Sequence, residues 1–177
     1  MALGRVARVV LLEPQIPQNT GAIGRTCLGL GAELHLIEPL GFSLDSSKVK
    51  RAGLDYWEKL APSTWPSWEA FERSELACAE RRAGAFLFSR MGRFGEASLF
   101  DVAFPAAPGS VVTLVFGSEH AGIRTLPAAA RDELPKVFLP MDGAAIRSYN
   151  LANSASVGLF ELHRQWHRAS ASASASA

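Results

Sequence analysis

The sequence predicts an α/β fold, a mostly parallel sheet flanked by helices, and three observations carry that prediction. Short apolar runs end at a proline or a glycine, apolar residues between them recur at helical spacing, and the two patterns alternate along the chain. The first unit shows all three. Arg5 to Leu12 is rich in valine and leucine and stops at Glu13-Pro14, as a buried strand does. Pro17 to Leu30 then places Ile23, Cys27 and Leu30 on one helical face, with Asn19 or Thr20 as candidate cap and Gly31 suited to the left-handed residue after the last turn. Glu33 to Ile37 is a second strand ending at Glu38-Pro39, which completes a parallel βαβ unit.

The later elements follow the same logic. Trp65 to Leu76 reads as a helix with Ser67 a candidate cap, and Ala85 to Ser89 and Val111 to Phe116 are apolar strands. The stretch from Arg90 to Pro108 has no assignable period. Pro127 to Glu133 predicts a short helix and Lys136 to Leu139 a short strand stopped by Pro140. From Asn150 to Trp166, the residues Leu151, Ala155, Leu159, Leu162 and Trp166 form one apolar stripe of a helix. Residues 1–168 are expected to form one domain. Ala169 to Ala177 only alternates serine and alanine, buries nothing, and is expected to be a disordered tail.

The 177 residues are 48% hydrophobic and 20% charged with a formal net charge of +1, so any nucleic-acid contact has to come from local basic patches. Candidates are Lys48, Lys50 and Arg51, then Arg90 with Arg93, Arg81-Arg82, and the run His163, Arg164, His167 and Arg168. Cys27 and Cys78 make no CxxC pair and no histidine stands at zinc-site spacing, which argues against a disulfide framework or a metal site; both are read as small buried residues. The apolar run at the N-terminus is too short to span a bilayer and lacks a small-residue cleavage site. A cytoplasmic location with no membrane partner is therefore expected.

In open parallel sheets, ligands bind beyond the carboxyl ends of the strands. The loops there run over residues 13–20, 89–93, 117–122 and 140–150, and all carry glycine, polar or charged residues. Neither nucleotide fingerprint is present: PQIPQNTGAIGR is not GxGxxG, its prolines obstruct close approach of a pyrophosphate, and no GxxxxGK[ST] occurs. In VFGSEHAGI a strand runs into Gly117, where a flat ligand would have room against the backbone; an ordinary Gly-Ser turn explains that segment equally well. In LPMDGAAIRSYNLANSAS, Ser148 or Asn150 reads first as a helix cap, which leaves Arg147 and the density of polar residues unexplained. Arg25, six residues after Asn19, reads first as a solvent-facing cation near a helix end.

Together these segments resemble the SPOUT class of S-adenosylmethionine-dependent RNA 2′-O-methyltransferases. NTGAIGR (Asn19 to Arg25) is similar to the first signature of that class, FGSE (Phe116 to Glu119) to the second, and IRSYNLANSASV (Ile146 to Val157) to the third. Within the class, His35 to Glu58, with EPLGF followed by KRAGLDY, resembles the TrmL-type enzymes that methylate cytidine or uridine 34 of tRNA. The resemblance implies a C-terminal deep trefoil knot and a homodimer whose active site is completed across the interface. It also implies S-adenosyl-L-methionine as cofactor and the tRNA anticodon stem-loop as partner. By the same resemblance the cofactor's adenine and ribose lie against Phe88, Gly117, Leu139 and Ser148, and catalysis rests on Arg25, Asn19, Glu119, Ser148 and Asn150.

A guanidinium stays protonated in proteins, so Arg25 is expected to bind a phosphate or the developing alkoxide rather than to remove a proton. The donor carries its own activated methyl, and the chemistry requires no metal. The chain departs from the class where FGPE is usually followed by threonine or serine, arginine and glycine. Here Ser118 replaces the proline, and His120 and Ala121 precede Gly122, so the arginine is missing; Tyr149 stands where methionine or leucine is usual. Three other readings stay open: the same chemistry on another RNA such as ribosomal RNA, a noncatalytic RNA-binding protein of the same fold, and a small-molecule nucleotide enzyme.

Overall fold

Parallel strands covered on both faces must be apolar on both faces, and the valine- and leucine-rich runs form such a sheet. The computed structural model describes residues 4–44, 57–90 and 96–175. In chain order the elements are β1 (Val6–Leu12), α1 (Pro17–Leu30), β2 (Glu33–Ile37), α2 (Trp57–Leu60), β3 (Ser63–Trp65), α3 (Trp68–Glu75), α4 (Ala79–Ala83) and β4 (Ala85–Ser89). There follow β5 (Ala97–Ser98), β6 (Val111–Phe116), a 3-10 turn (Ile123–Thr125), α5 (Ala128–Glu133), β7 (Lys136–Phe138) and α6 (Leu151–Ala175). The strands pair in the order β3-β2-β1-β6-β4-β7-β5, and every pairing is parallel.

The period of two along β1 sorts the core into two layers. Val9 and Leu11 face a layer closed by Ile23 and Cys27 of α1 and by Ala155, Leu159, Leu162 and Trp166 of α6. Val10 and Leu12 face the other layer, closed by Trp68, Phe71, Leu76, Ala130 and Leu134. Thus the helical stripes predicted from Ile23, Cys27, Leu159 and Leu162 are the faces that bury. Gly31 ends α1 at φ 67°, its amide and that of Ala32 closing the last turn on Leu28 and Cys27 carbonyls. Burial pushes the Cys27 thiol up to about 12, so it stays protonated inside the core.

Four local expectations are corrected. Helix α1 is not capped by Asn19 or Thr20; it starts at Pro17 after Ile16, because proline needs no amide partner in the first turn. Trp65 belongs to β3 and pairs with Ile37, and the helix begins only at Trp68, with Ser67 accepting from the Ala70 amide. Cys78 is exposed rather than buried.

The fourth correction concerns the serine–alanine tail, which continues α6 to Ala175. Extending an existing helix avoids the cost of nucleation, and alanine is the best helix former. The Ser170, Ser172 and Ser174 hydroxyls donate back to the carbonyls of Trp166, Arg168 and Ser170, and Arg5 donates to Trp166 O and Ser170 Oγ.

Helix α6 is also held from outside the sheet. The Gln165 side chain donates to Val102 O and accepts from the Phe104 amide, while Trp166 Nε1 donates to Pro105 O. The segment between β5 and β6 therefore grips the helix that follows β7, although β7 lies between β4 and β5 in the sheet. No helix among the described residues is long and apolar enough to cross a membrane.

Candidate active site

The carboxyl ends of β6, β4 and β7 open into a cavity of about 580 Å³. All the loops singled out from the sequence reach it, through Ile16 and Asn19, Ser89 and Arg90, the 117–122 turn, and Met141 with Ser148, Tyr149 and Asn150. Strand order explains the convergence: β1 and β6 are neighbours, so the loops leaving them meet although a hundred residues separate them. Phe88 and Phe116, which both line the cavity, stack with ring centroids 4.4 Å apart and planes inclined by 29°. A Cβ at Gly158 would come within 2.9 Å of the Phe88 ring, so the glycine lets α6 close on that ring.

Three polar side chains form one chain of hydrogen bonds. Glu119 accepts from the amides of Gln15 (2.9 Å) and Ile16 (3.3 Å) and from Asn19 Nδ2 (2.9 Å). The Asn19 oxygen accepts from Asn150 Nδ2 at 3.0 Å, and the Asn150 oxygen accepts from the Ala152 (2.8 Å) and Asn153 (3.3 Å) amides. Asn150 is thus the N-cap of α6, as one reading of the sequence had it, and also the link to Asn19. The carboxylate fills donors of the turn before α1 and so anchors the start of that helix to the 117–122 turn.

Removing Asn150 should expose both jobs. Asn150→Ala is expected to cost about 1–2 kcal/mol in urea unfolding. Asn150→Ser keeps a capping oxygen and should recover most of that loss without restoring the bond to Asn19. Equal stability losses in the two variants would show that capping is not what Asn150 contributes.

Of the residues singled out in the sequence, Asn19, Glu119, Ser148, Asn150, Phe88, Gly117 and Leu139 all line this one cavity. Arg25 does not. It sits on the exposed side of α1, six residues or about 9 Å along the axis from Asn19. Gly117 is required by the protein itself as well as by any ligand: a Cβ there would lie 2.5 Å from Gly122 O and Ile123 N, and closer still to the Gly122 carbonyl carbon.

Sequence reasoning did not single out Met141, Ile123, Arg124 or the cavity-lining role of Tyr149, whose hydroxyl donates to Pro140 O at 3.0 Å and ties the two ends of the 140–149 loop. Their signal was position alone, on loops at the carboxyl ends of strands. The proposed patch residues Lys48, Lys50, Arg51 and Arg93 lie outside the described residues. Arg82 is held by Glu72 and Glu133, and Arg164 by Glu161.

Comparison with known proteins agrees with this geometry. A relative in Burkholderia ambifaria, a tRNA (cytidine(34)-2′-O)-methyltransferase, is 44% identical over 160 residues, covering 89% of this chain and 94% of its own. One of the same name in Aeromonas hydrophila is 41% identical over 162 residues, covering 89% and 92%. Among solved structures, one concerned with 2′-OH methylation of C/U34 on tRNA superposes with a TM-score of 0.75 at 40% identity, covering 90% of this chain and 95% of that one. The SpoU methyltransferase AviRb from Streptomyces viridochromogenes, solved with AdoMet, superposes at 0.70 with 28% identity, covering 90% of this chain and 57% of that one. The sequence pattern of the SpoU rRNA Methylase family matches residues 7–160, from the first strand into the first turns of α6. With its motifs brought to one cavity and its relatives similar over nearly their whole length, the chain belongs to the SpoU methylase family.

Proposed function

We propose that the protein transfers the methyl group of S-adenosyl-L-methionine to the ribose 2′-hydroxyl of nucleotide 34, cytidine or uridine, in tRNA. The observation that carries this reading is the meeting of all three motifs at one cavity, in a chain 40–45% identical to tRNA (cytidine(34)-2′-O)-methyltransferases. The family's description refers to ribosomal RNA, but these relatives match over 89% of the chain and are named for tRNA.

The cavity fits the cofactor. Its volume lies in the range of small-molecule sites, and its wall combines apolar side chains such as Phe88, Phe116 and Leu139 with polar side chains and the main chain of Gly117 and Gly122. Phe88, Gly117, Leu139 and Ser148 would hold the adenosine part. When bound, the cofactor supplies an electrophilic methyl on a sulfonium, so the protein's task is to bring the ribose oxygen in line with it. The Glu119–Asn19–Asn150 chain fixes the relative position of the three loops that shape the site. Ser148 lines the cavity beside Asn150, where its hydroxyl could hydrogen-bond the cofactor or the acceptor ribose. Arg25 orients the ribose or steadies the developing alkoxide, a charge that grows as the hydroxyl loses its proton.

Arg25 reaches a cavity only in a homodimer, and its absence from its own chain's cavity supports that assembly. On α6, Val157 and Phe160 are 45% and 59% exposed, and Leu28 is 36% exposed on α1, which packs against α6. These apolar residues on adjoining helices suit a two-fold contact. Phe160→Asp should convert a dimer to a monomer in sedimentation velocity; an unchanged sedimentation coefficient would place the contact elsewhere. The grip of residues 102–105 on α6 and the place of β7 between β4 and β5 support a C-terminal deep trefoil knot.

Transfer of radiolabelled methyl to total tRNA, followed by nuclease mapping, tests the reading. Label in 2′-O-methylcytidine or 2′-O-methyluridine at position 34 is expected. Label found only on ribosomal RNA would keep the chemistry and replace the substrate.

A further inference from the structure

In the class that this chain resembles, the glutamate that ends the second motif is followed by threonine or serine, arginine and glycine, and Ala121 occupies the arginine's place. The structure shows where a replacement comes from. After Gly122, at φ 61°, the chain makes the 3-10 turn Ile123–Thr125. That turn sends Arg124 back, and its Nε donates to the carbonyl of Ala121 at 3.2 Å. Ser118 and Gly122 pair across the base of the loop, the amide of each donating to the carbonyl of the other at 3.2 and 2.8 Å, so residue 121 and the turn that carries Arg124 are held in a fixed relation.

We propose that Arg124 is a substrate-positioning residue that restores in space the cation Ala121 lacks in sequence. Its guanidinium receives a phosphate of the RNA at the mouth of the cavity. This rests on the RNA methyltransferase reading above.

Three observations carry the assignment. Arg124 lines the cavity and is exposed. Its bond to Ala121 uses Nε alone, leaving the pair of terminal nitrogens, the part of a guanidinium that grips a phosphate, without a partner among the described residues. No carboxylate among the described residues pairs with it, in contrast to Arg82 and Arg164, which glutamates hold. Arg90 lines the same mouth and is exposed, so with Arg124 the opening carries cations on two of its loops. Glu119, the carboxylate of that loop, is turned inward onto the Gln15 and Ile16 amides and Asn19. An anion approaching the mouth therefore meets donors first.

The test compares wild type, Arg124→Ala and the double variant Arg124→Ala/Ala121→Arg in tRNA methylation and filter binding across salt concentrations, with cofactor affinity by calorimetry. Arg124→Ala should raise the KM for tRNA about tenfold and reduce the slope of log affinity against log salt by about one, leaving cofactor affinity unchanged. The double variant, which returns the arginine to position 121, should recover both. Unchanged KM and salt slope in Arg124→Ala would overturn the assignment, as would an equal loss of cofactor affinity, which would put the guanidinium on the cofactor's carboxylate. A double variant no better than the single one would show that the loop, not the cation, was damaged. Wild-type protein that neither binds nor methylates tRNA would instead remove the functional reading on which the assignment rests.

Discussion

Gly117→Ala should abolish methyl transfer and weaken cofactor binding about 10- to 100-fold. The added methyl would meet the backbone of Gly122 and Ile123, not the end of a movable side chain. The loop has little room to yield, because Ser118 and Gly122 exchange hydrogen bonds and Glu119 is anchored to the turn before α1. Relief would have to come from moving the 118–122 hairpin, and that hairpin is a wall of the cavity. The expected cost is that of overpacking, about 1–3 kcal/mol, taken at the cavity rather than in the core. Titration calorimetry with the cofactor, alongside thermal unfolding, separates a damaged cavity from a damaged fold. Wild-type affinity in this variant would mean the wall can move and that the cavity is not the cofactor site.

Arg25→Lys should retain tRNA binding and lose about 10²- to 10³-fold in single-turnover rate, the scale for removing one positioned donor from a developing oxyanion. Lysine keeps the charge but not the planar fork, so the comparison isolates geometry. Because Arg25 is outside its own chain's cavity, the variant also has a genetic signature. Coexpressing Arg25→Lys with Gly117→Ala should restore activity: the first chain keeps an intact cavity and the second supplies the arginine. Random pairing leaves roughly a quarter of the wild-type sites complete in a two-fold dimer. No recovery over the single variants would mean that Arg25 acts within its own chain.

Much of this architecture was legible in the sequence, for a local reason. Pro17–Leu30, Glu33–Ile37, Ala85–Ser89 and Val111–Phe116 have the bounds their periodicity predicts, because burial against a neighbouring layer requires apolar residues at fixed spacing whatever that neighbour is. Gly31 was readable because the end of a helix favours a residue tolerating positive φ. What failed was local chemistry with two outcomes. A polar residue early in a helix reads alike whether it caps that helix or reaches across the molecule, so the sequence leaves Asn19 both a candidate cap and a site residue, and its bonds to Glu119 and Asn150 decide for the second. The serine–alanine tail has the composition of disorder, yet it is helical where α6 precedes it and Arg5 meets it from the other end of the chain.

By itself, then, the sequence determined the fold class, the strands β1, β2, β4, β6 and β7, the helices α1, α3, α5 and α6 to within a few residues or turns, and the loops that would face a ligand. The motifs in those loops carried the family resemblance. Only the tertiary structure decided which of the motif residues share a cavity. Asn19, Glu119 and Asn150 meet because β1 and β6 pair in parallel and because α6 returns across α1, while Arg25, in the same motif as Asn19, is exposed and does not line the cavity. The arginine absent from position 121 follows the same rule: Arg124 reaches that carbonyl through a turn. Periodicity records which face of an element is buried, whereas a site depends on which elements are neighbours, and strand order is not written in any single segment.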